Sequence, residues 1–174
     1  MTNDSDSKTS DGAMKALPNW EQILTERLPL FGHRNWIVVA DAAYPSQSRP
    51  GVETIASGET QQAVVETVLA RLRECSHVRP VIHLDRELAF VDERDALGVD
   101  AYRRWLDTQL KGQTVDSSPH DEIIAKMDQA AQMFSVLVVK TAMTIPYTTV
   151  FIELDCGYWN GDSELRLRRA MQTA

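Results

Sequence analysis

The pattern of apolar and polar residues contains one apolar run that does not alternate, from Trp36 to Ala40, and most of its residues are valine or isoleucine. A short apolar run of this composition, bounded by turn formers such as Gly32 and Pro45, predicts a strand that is buried on both faces. We expect this strand to lie at the centre of a sheet.

The rest of the chain alternates between helical and extended patterns. Apolar residues at helical spacing predict helices from Pro18 to Leu28, Thr60 to Cys75, Asp100 to Gly112, Ser118 to Phe134 and Ser163 to Met171. Short apolar runs predict strands or extended pieces at 52–55, 80–84, 88–91, 136–139 and 149–154. In the fourth helix, Ser118 is expected to be the N-cap, followed by Pro119 in the first turn.

Strands that alternate with helices predict a single-domain α/β fold, with a mostly parallel central sheet and helices on both faces. The polar residues 1–16 are expected to form a disordered tail, and 17–174 to form the domain. The chain has 174 residues, 43% hydrophobic and 25% charged, which suits one domain with a core of ordinary size.

Charge and cysteine content narrow the classes of function. The formal net charge of −7, without a basic stripe, argues against nucleic acid or an anionic membrane as a partner. Cys75 and Cys156 have no metal or redox spacing and are expected to be reduced thiols. With no apolar leader and no run long enough to cross a membrane, we expect a cytoplasmic protein. The four histidines are scattered, so no metal site is expected, and no glycine-rich loop predicts a phosphate-bearing cofactor.

Asp41 follows the predicted core strand directly, and His33 precedes it. Ligands of open α/β sheets gather at the carboxyl ends of the strands, so Asp41 is well placed for chemistry. By position alone, however, such a carboxylate can equally be a loop cap, and a loop histidine can simply be solvated.

The segment Gly32-His33-x-Asn35, the strand, and then Asp41-Ala42-x-Tyr44-Pro45 resemble the signature of the D-ribose pyranase and L-fucose mutarotase family. Ile145-Pro146-Tyr147-Thr148-Thr149, followed by an apolar strand, is similar to a second motif, in which the family usually has Tyr-x-Asn. The resemblance implies a three-layer sandwich and cofactor-independent ring opening or anomer interconversion of a free monosaccharide.

The resemblance also assigns roles to residues. His33 would be the catalytic acid and base, since an imidazole titrates close to neutral pH. Asp41, His120, Tyr147 and Thr149 would bind the sugar, and no metal is implied. The family forms rings, so we expect a homo-oligomer such as a pentamer or a decamer.

The spacing of His33 and Asp41 supports a site shared between subunits. The two residues are eight positions apart, and a straight strand between them would separate them by up to about 26 Å. One monosaccharide cannot bridge that distance, so His33 of one subunit would have to face Asp41 of another.

Two departures from the family pattern keep alternatives open. Asn35 stands where the family usually has an acidic residue, and Thr149 stands in place of asparagine. Both favour a non-catalytic protein of the same fold that binds a sugar or another small polar ligand. A third possibility is an interaction protein, which would show an apolar surface around Tyr158 and Trp159 and no pocket at Asp41.

Overall fold

Six strands form one sheet in the order β2-β5-β1-β6-β3-β4 in the computed structural model, which describes residues 19–173. The strands are β1 (Trp36–Ala40), β2 (Val52–Ala56), β3 (Val78–Asp85), β4 (Thr114–Ser118), β5 (Val136–Lys140) and β6 (Val150–Cys156). Strand β6 runs antiparallel to both of its neighbours, while the other three pairings are parallel. The expected mostly parallel α/β sheet is therefore confirmed. The predicted disordered tail, 1–16, lies outside the described residues.

Helices cover both faces of the sheet. The covering helices are α1 (Trp20–Arg27), α2 (Gln61–Glu74), α3 (Val99–Gln109) and α4 (His120–Ala130), whereas the last helix, α5 (Gly161–Gln172), has no buried residue. The buried residues of α1, α2 and α3 share one core, and those of α4 belong to a second core. Among residues 19–173, no helix is both long and apolar enough to cross a membrane.

Strand β1 lies between these two cores, as its continuous apolar sequence predicts. All five of its residues are buried. Ile37 and Val39 face α1, α2 and α3, whereas Trp36, Val38 and Ala40 face α4. A strand covered on both sides needs apolar side chains at every position, which is why the usual alternation is absent here.

The strand directions bring several chain segments to one edge of the sheet. Strands β1, β3 and β4 all end at this edge, and the antiparallel strand β6 begins there. Helix α4 starts two residues after β4 and therefore begins at the same edge. Segments that are far apart in the sequence, namely the ends of β1, β3 and β4 and the starts of β6 and α4, therefore meet at this carboxyl edge.

Two local predictions are wrong. The segment 88–91, predicted as extended, falls mainly in a 3-10 helix, Arg86–Phe90. Two backbone carbonyl groups of this segment are hydrogen-bonded without a neighbouring strand, because the guanidinium of Arg103 donates to the oxygens of Leu88 and Val91 at 2.8 Å.

Ser118 is not the N-cap of α4. It ends β4, a polar edge strand that has no apolar pattern, and Pro119 takes the cap position without a side-chain hydrogen bond. The exposed start of the helix is stabilised instead by Glu87, whose two carboxylate oxygens accept the N–H of His120 at 3.1 Å.

Candidate active site at the carboxyl edge of the sheet

A cleft of about 950 Å³ opens at the carboxyl edge. Its walls are the loop 41–49 after β1, the loop 143–147 before β6 and the first turns of α4, and Asp85 at the end of β3 lies among them. The volume is at the upper end of the range for small-molecule sites. The cleft thus has room for a small polar ligand together with water.

Asp41 directly follows β1, and hydrogen bonds hold its carboxylate in place. Its Oδ1 accepts the N–H of Ala43 at 2.8 Å, and its Oδ2 accepts the hydroxyl of Thr149 at 3.1 Å. Each carboxylate oxygen can accept a further hydrogen bond. The carboxylate is therefore oriented by the protein while it keeps acceptor capacity for a ligand.

Thr149 lies behind Asp41, away from the residues that line the cleft. It is only 2% exposed, and its side chain points to the carboxylate of Asp41. In this arrangement its hydroxyl positions Asp41, and a ligand in the cleft would meet Asp41 first.

Tyr147 occupies a strained backbone conformation next to the cleft. Its φ of 60° lies in the left-handed region, which is uncommon for a bulky residue. The side chain is partly exposed and its ring meets that of His120 edge-on, with 5.8 Å between the centroids. Strain of this kind persists only where the surroundings fix the backbone.

A buried polar network provides that fixation. Gln61 is completely buried and donates to the carbonyl oxygens of Val39 at 3.0 Å and Thr148 at 2.8 Å. The same Thr148 oxygen accepts the hydroxyl of Tyr102, and Thr141 donates to Gln61 Oε1 at 2.7 Å. The end of β1 and the Tyr147 loop are thereby held together through a single side chain.

His120 lies at the first position of α4, above a buried carboxylate. Its Nδ1 is 3.1 Å from Oδ1 of Asp85, but the two groups are not aligned for a hydrogen bond. Among the described residues, neither oxygen of Asp85 has a hydrogen-bond partner, although its side chain is only 1% exposed. Leaving a buried carboxylate without partners is costly, so its presence in a cleft wall is informative.

The environment of Asp85 changes its acidity. Burial raises the pKa of its carboxyl to about 6, although the neighbouring imidazole of His120 acts in the opposite direction. The charges of Glu87 and Asp41 act in the same direction as burial. Asp85 therefore gains or loses its proton close to the physiological range.

His33 lies at the other end of β1. It lines a second cavity, of about 770 Å³, together with His77, Arg79, Asp155 and Trp159. The structure thus brings Asp41, His120, Tyr147 and Thr149 together within one chain and leaves His33 outside that group. Tyr158 and Trp159 are exposed, but they lie beside His33 and not beside Asp41.

Two site residues were not identified from the sequence. Asp85 directly follows a predicted strand, so the rule that singled out Asp41 also applies to it. No pattern in the sequence pointed to Gln61, because a glutamine in the first turn of a helix is usually exposed.

Within residues 19–173, no group of three or more histidine, cysteine or acidic residues is arranged to hold a metal ion. Both cysteines are free thiols.

No model of a protein family matches the sequence, and no curated protein matches it. Solved structures do resemble the fold. Bacillus subtilis RbsD complexed with D-ribose has a TM-score of 0.57 and 18% identity, over 82% of this chain and 98% of that one. The fucose mutarotase from Streptococcus pneumoniae, in complex with L-fucose, has a TM-score of 0.51 and 16% identity over the same shares.

FucU from Bifidobacterium longum is also similar, with a TM-score of 0.50 and 16% identity over 76% of this chain and 93% of that chain. At such low identity these likenesses show the fold alone. They support the three-layer α/β arrangement that the sequence pattern and the resemblance predicted.

Proposed function

We propose that this protein opens the ring of a free monosaccharide, or interconverts its anomers, without a cofactor. The observation that carries the proposal is the cleft at the carboxyl edge, where Asp41, His120 and Tyr147 converge beside the buried Asp85. Carboxylates and an imidazole bind and move protons on hydroxyl groups, and an exposed aromatic ring suits the apolar face of a sugar.

The chemistry needs two proton-transfer groups and nothing else. One group removes the proton of the anomeric hydroxyl, and the other protonates the ring oxygen as the ring bond breaks. Asp41 holds the sugar in place through its free acceptor positions, and Tyr147 bounds the other side of the cleft. His33 supplies one of the proton-transfer groups.

Two of the similar structures support a sugar as the ligand, since they contain D-ribose and L-fucose. Because His33 lies outside the cleft of its own subunit, we further propose that the protein forms a homo-oligomeric ring, such as a pentamer or decamer. In that assembly, His33 of one subunit completes the cleft of its neighbour. The protein works in the cytoplasm, where the two free thiols stay reduced.

Local contacts also favour a second candidate function, binding of a sugar or another small polar ligand without catalysis. Asn35 is occupied with the backbone, accepting the N–H of Gly32 at 2.7 Å and donating to the oxygen of Ser135 at 3.1 Å. It is therefore not available to polarise His33. The hydroxyl of Thr149 likewise donates its hydrogen bond to the carboxylate of Asp41.

Exchange NMR with a panel of free sugars separates the two functions. Catalysis predicts faster anomer exchange that falls about 10²-fold or more in His33→Ala and in Asp41→Asn. Binding without acceleration would support the second function, and neither binding nor acceleration would contradict both.

The shared site has its own test. Each single variant should be inactive, but co-expressed His33→Ala and Asp41→Asn subunits should recover about a quarter of the wild-type rate, because random pairing restores that share of intact sites. A strictly monomeric wild-type protein, or no recovery in mixed oligomers, would rule out a site shared between subunits.

A further inference from the structure

We propose that Asp85 and His120 act as one proton-carrying pair, in which Asp85 fixes the imidazole through Nδ1 and leaves Nε2 to exchange a proton with the bound sugar. The inference rests on the proposed function and assigns the second proton-transfer group of the reaction. It makes His120 a catalytic residue and Asp85 its positioning residue.

Burial distinguishes the two nitrogens of the His120 ring. Nδ1 is buried and lies 3.1 Å from the Asp85 carboxylate. The side chain is nevertheless 36% exposed, and it lines the cleft. Nε2 makes no hydrogen bond to any described residue and is not among the buried unpaired atoms, so it is the nitrogen that a ligand can reach.

The carboxylate has no other structural use. The side chain of Asp85 is only 1% exposed, yet no described residue donates a hydrogen bond to it. A purely structural buried carboxylate would be expected to accept backbone or arginine hydrogen bonds. The hydrogen bonds of catalytic pairs often align fully only when the substrate binds, so the imperfect alignment of this pair is compatible with the role proposed for it.

His83 provides a contrast within the same chain. It also has an aspartate at Nδ1, with Asp116 at 3.3 Å, but Glu153 occupies its Nε2 at 3.1 Å. Its side chain is 4% exposed and stacks on Trp36. Both nitrogens of His83 are thus used inside the protein, whereas His120 keeps one free.

The proton transfers balance as follows. His120 Nε2 takes the proton of the anomeric hydroxyl as the carbonyl of the open sugar forms. The bond between the anomeric carbon and the ring oxygen breaks, and its electron pair stays on that oxygen, which takes a proton from His33 of the neighbouring subunit. Ring closure on the opposite face reverses these steps and restores both imidazoles.

Other titratable groups face the pair. Asp41 and Glu87 act on Asp85 through their charges, and Tyr44 packs nearby with a pKa raised to about 12 by burial, so it remains neutral. With the pKa of Asp85 itself raised to about 6, the carboxylate is ionised at neutral pH and can accept the Nδ1 proton. Anomer exchange should therefore lose rate as the pH falls through about 6.

The test compares Asp85→Asn with the matched control Asp116→Asn, which removes the aspartate from the other histidine. In Asp85→Asn we expect the maximal exchange rate to fall about 10²-fold, with little change in the sugar concentration for half-maximal rate. Asp116→Asn should keep the wild-type rate and acid limb. Equal rates and pH profiles in Asp85→Asn and wild type would overturn the proposal.

A measurement without sugar keeps the pair testable if Asp85→Asn does not fold or if no sugar is turned over. In ¹⁵N NMR of the wild-type protein near pH 7.5, the neutral His120 ring should carry its proton on Nδ1. A proton on Nε2 would overturn the pair. Absence of sugar turnover with the proton on Nδ1 would contradict the proposed function but support the fixed imidazole.

Discussion

The two ends of strand β1 differ in how their polar groups are satisfied. At the amino end, Arg79 pairs with Asp155, and His77 interacts with the backbone oxygens of Leu28 and Phe31. At the carboxyl end, Asp85 is buried without a hydrogen-bond partner among residues 19–173, and one nitrogen of His120 has no partner in that range either. The free nitrogen of His120 is available to a ligand and the buried Asp85 lies directly behind that ring, whereas the paired groups at the amino end contribute mainly to the fold.

The comparison assigns different roles to the two cavities. The carboxyl-end cleft combines a buried network, a strained backbone position and an unpaired carboxylate, and it has the features of a prepared site. The amino-end cavity offers His33 together with the exposed aromatic residues Tyr158 and Trp159. In the proposed ring, this surface would face a neighbouring subunit and present His33 to it.

The largest expected effect on stability is at Gln61, which ties β1 to the Tyr147 loop. Gln61→Leu keeps the approximate size but leaves the oxygen of Val39 and the hydroxyl of Thr141 without this partner. We expect a loss of roughly 2–4 kcal/mol in the free energy of unfolding, measured by urea denaturation. The exposed Gln22, which bonds to Glu26 within α1, provides the control.

Gln22→Leu should change the stability by less than about 0.5 kcal/mol. Similar effects of the two substitutions would mean that the buried network does not fix the carboxyl end. Loss of sugar affinity in Gln61→Leu under conditions where the protein is fully folded would show that the network also positions the site.

The next effect is the pH dependence of stability caused by Asp85. Its folded-state pKa of about 6 lies above the ordinary aspartate value of 3.8, so the unfolded chain releases this proton first as the pH rises. The carboxylate therefore destabilises the folded state progressively between about pH 4 and pH 6. Asp85→Asn should be more stable than wild type above pH 6, on the order of 2–3 kcal/mol.

The difference should shrink as the pH falls from 6 to 4, which urea denaturation at several pH values would measure. Asp116 is 59% exposed in its side chain, and Asp116→Asn should show no comparable gain. A stability difference for Asp85→Asn that is independent of pH would contradict the raised pKa of this carboxyl.

The smallest effect concerns backbone strain at the two ends. Arg34 at the amino end and Tyr147 at the carboxyl end are the two described non-glycine residues with positive φ, at 74° and 60°. Arg34→Gly should raise the stability by up to about 1 kcal/mol without changing sugar binding. Tyr147→Gly relieves the same strain but removes the ring that meets His120, so calorimetric titration should show weaker sugar binding. Equal binding in both variants would remove Tyr147 from the site.

Periodicity predicted the central part of the fold well. The uninterrupted run Trp36–Ala40 could only suit a strand covered on both faces, and the helical stripe from Thr60 to Cys75 matches α2. Strand β4 escaped prediction because an exposed edge strand such as Thr114–Ser118 needs no apolar residues. The extended prediction for 88–91 failed because a few apolar residues suit either conformation until a partner such as Arg103 is known.

The site was predictable only in part. Asp41 and Tyr147 were predicted from local motifs, and His120 was predicted as the nearest histidine upstream of the penultimate strand, where the family resemblance places a binding residue. The contact between Asp85 and His120 depends on the order of β3 and β4 in the sheet and on where α4 begins. The position of Thr149 behind Asp41 depends on the antiparallel direction of β6. Neither the strand order nor the direction is encoded in a local pattern.

The central claim is that the carboxyl edge of the sheet binds a sugar, and amide chemical-shift mapping of isotopically labelled wild-type protein tests it most directly. On titration with a panel of free monosaccharides, the account predicts shifts at Asp41, Tyr147 and His120, with a saturating dependence on the concentration of at least one sugar. Shifts confined to the amino-end residues His33 and Trp159, or no shifts with any sugar, would contradict it.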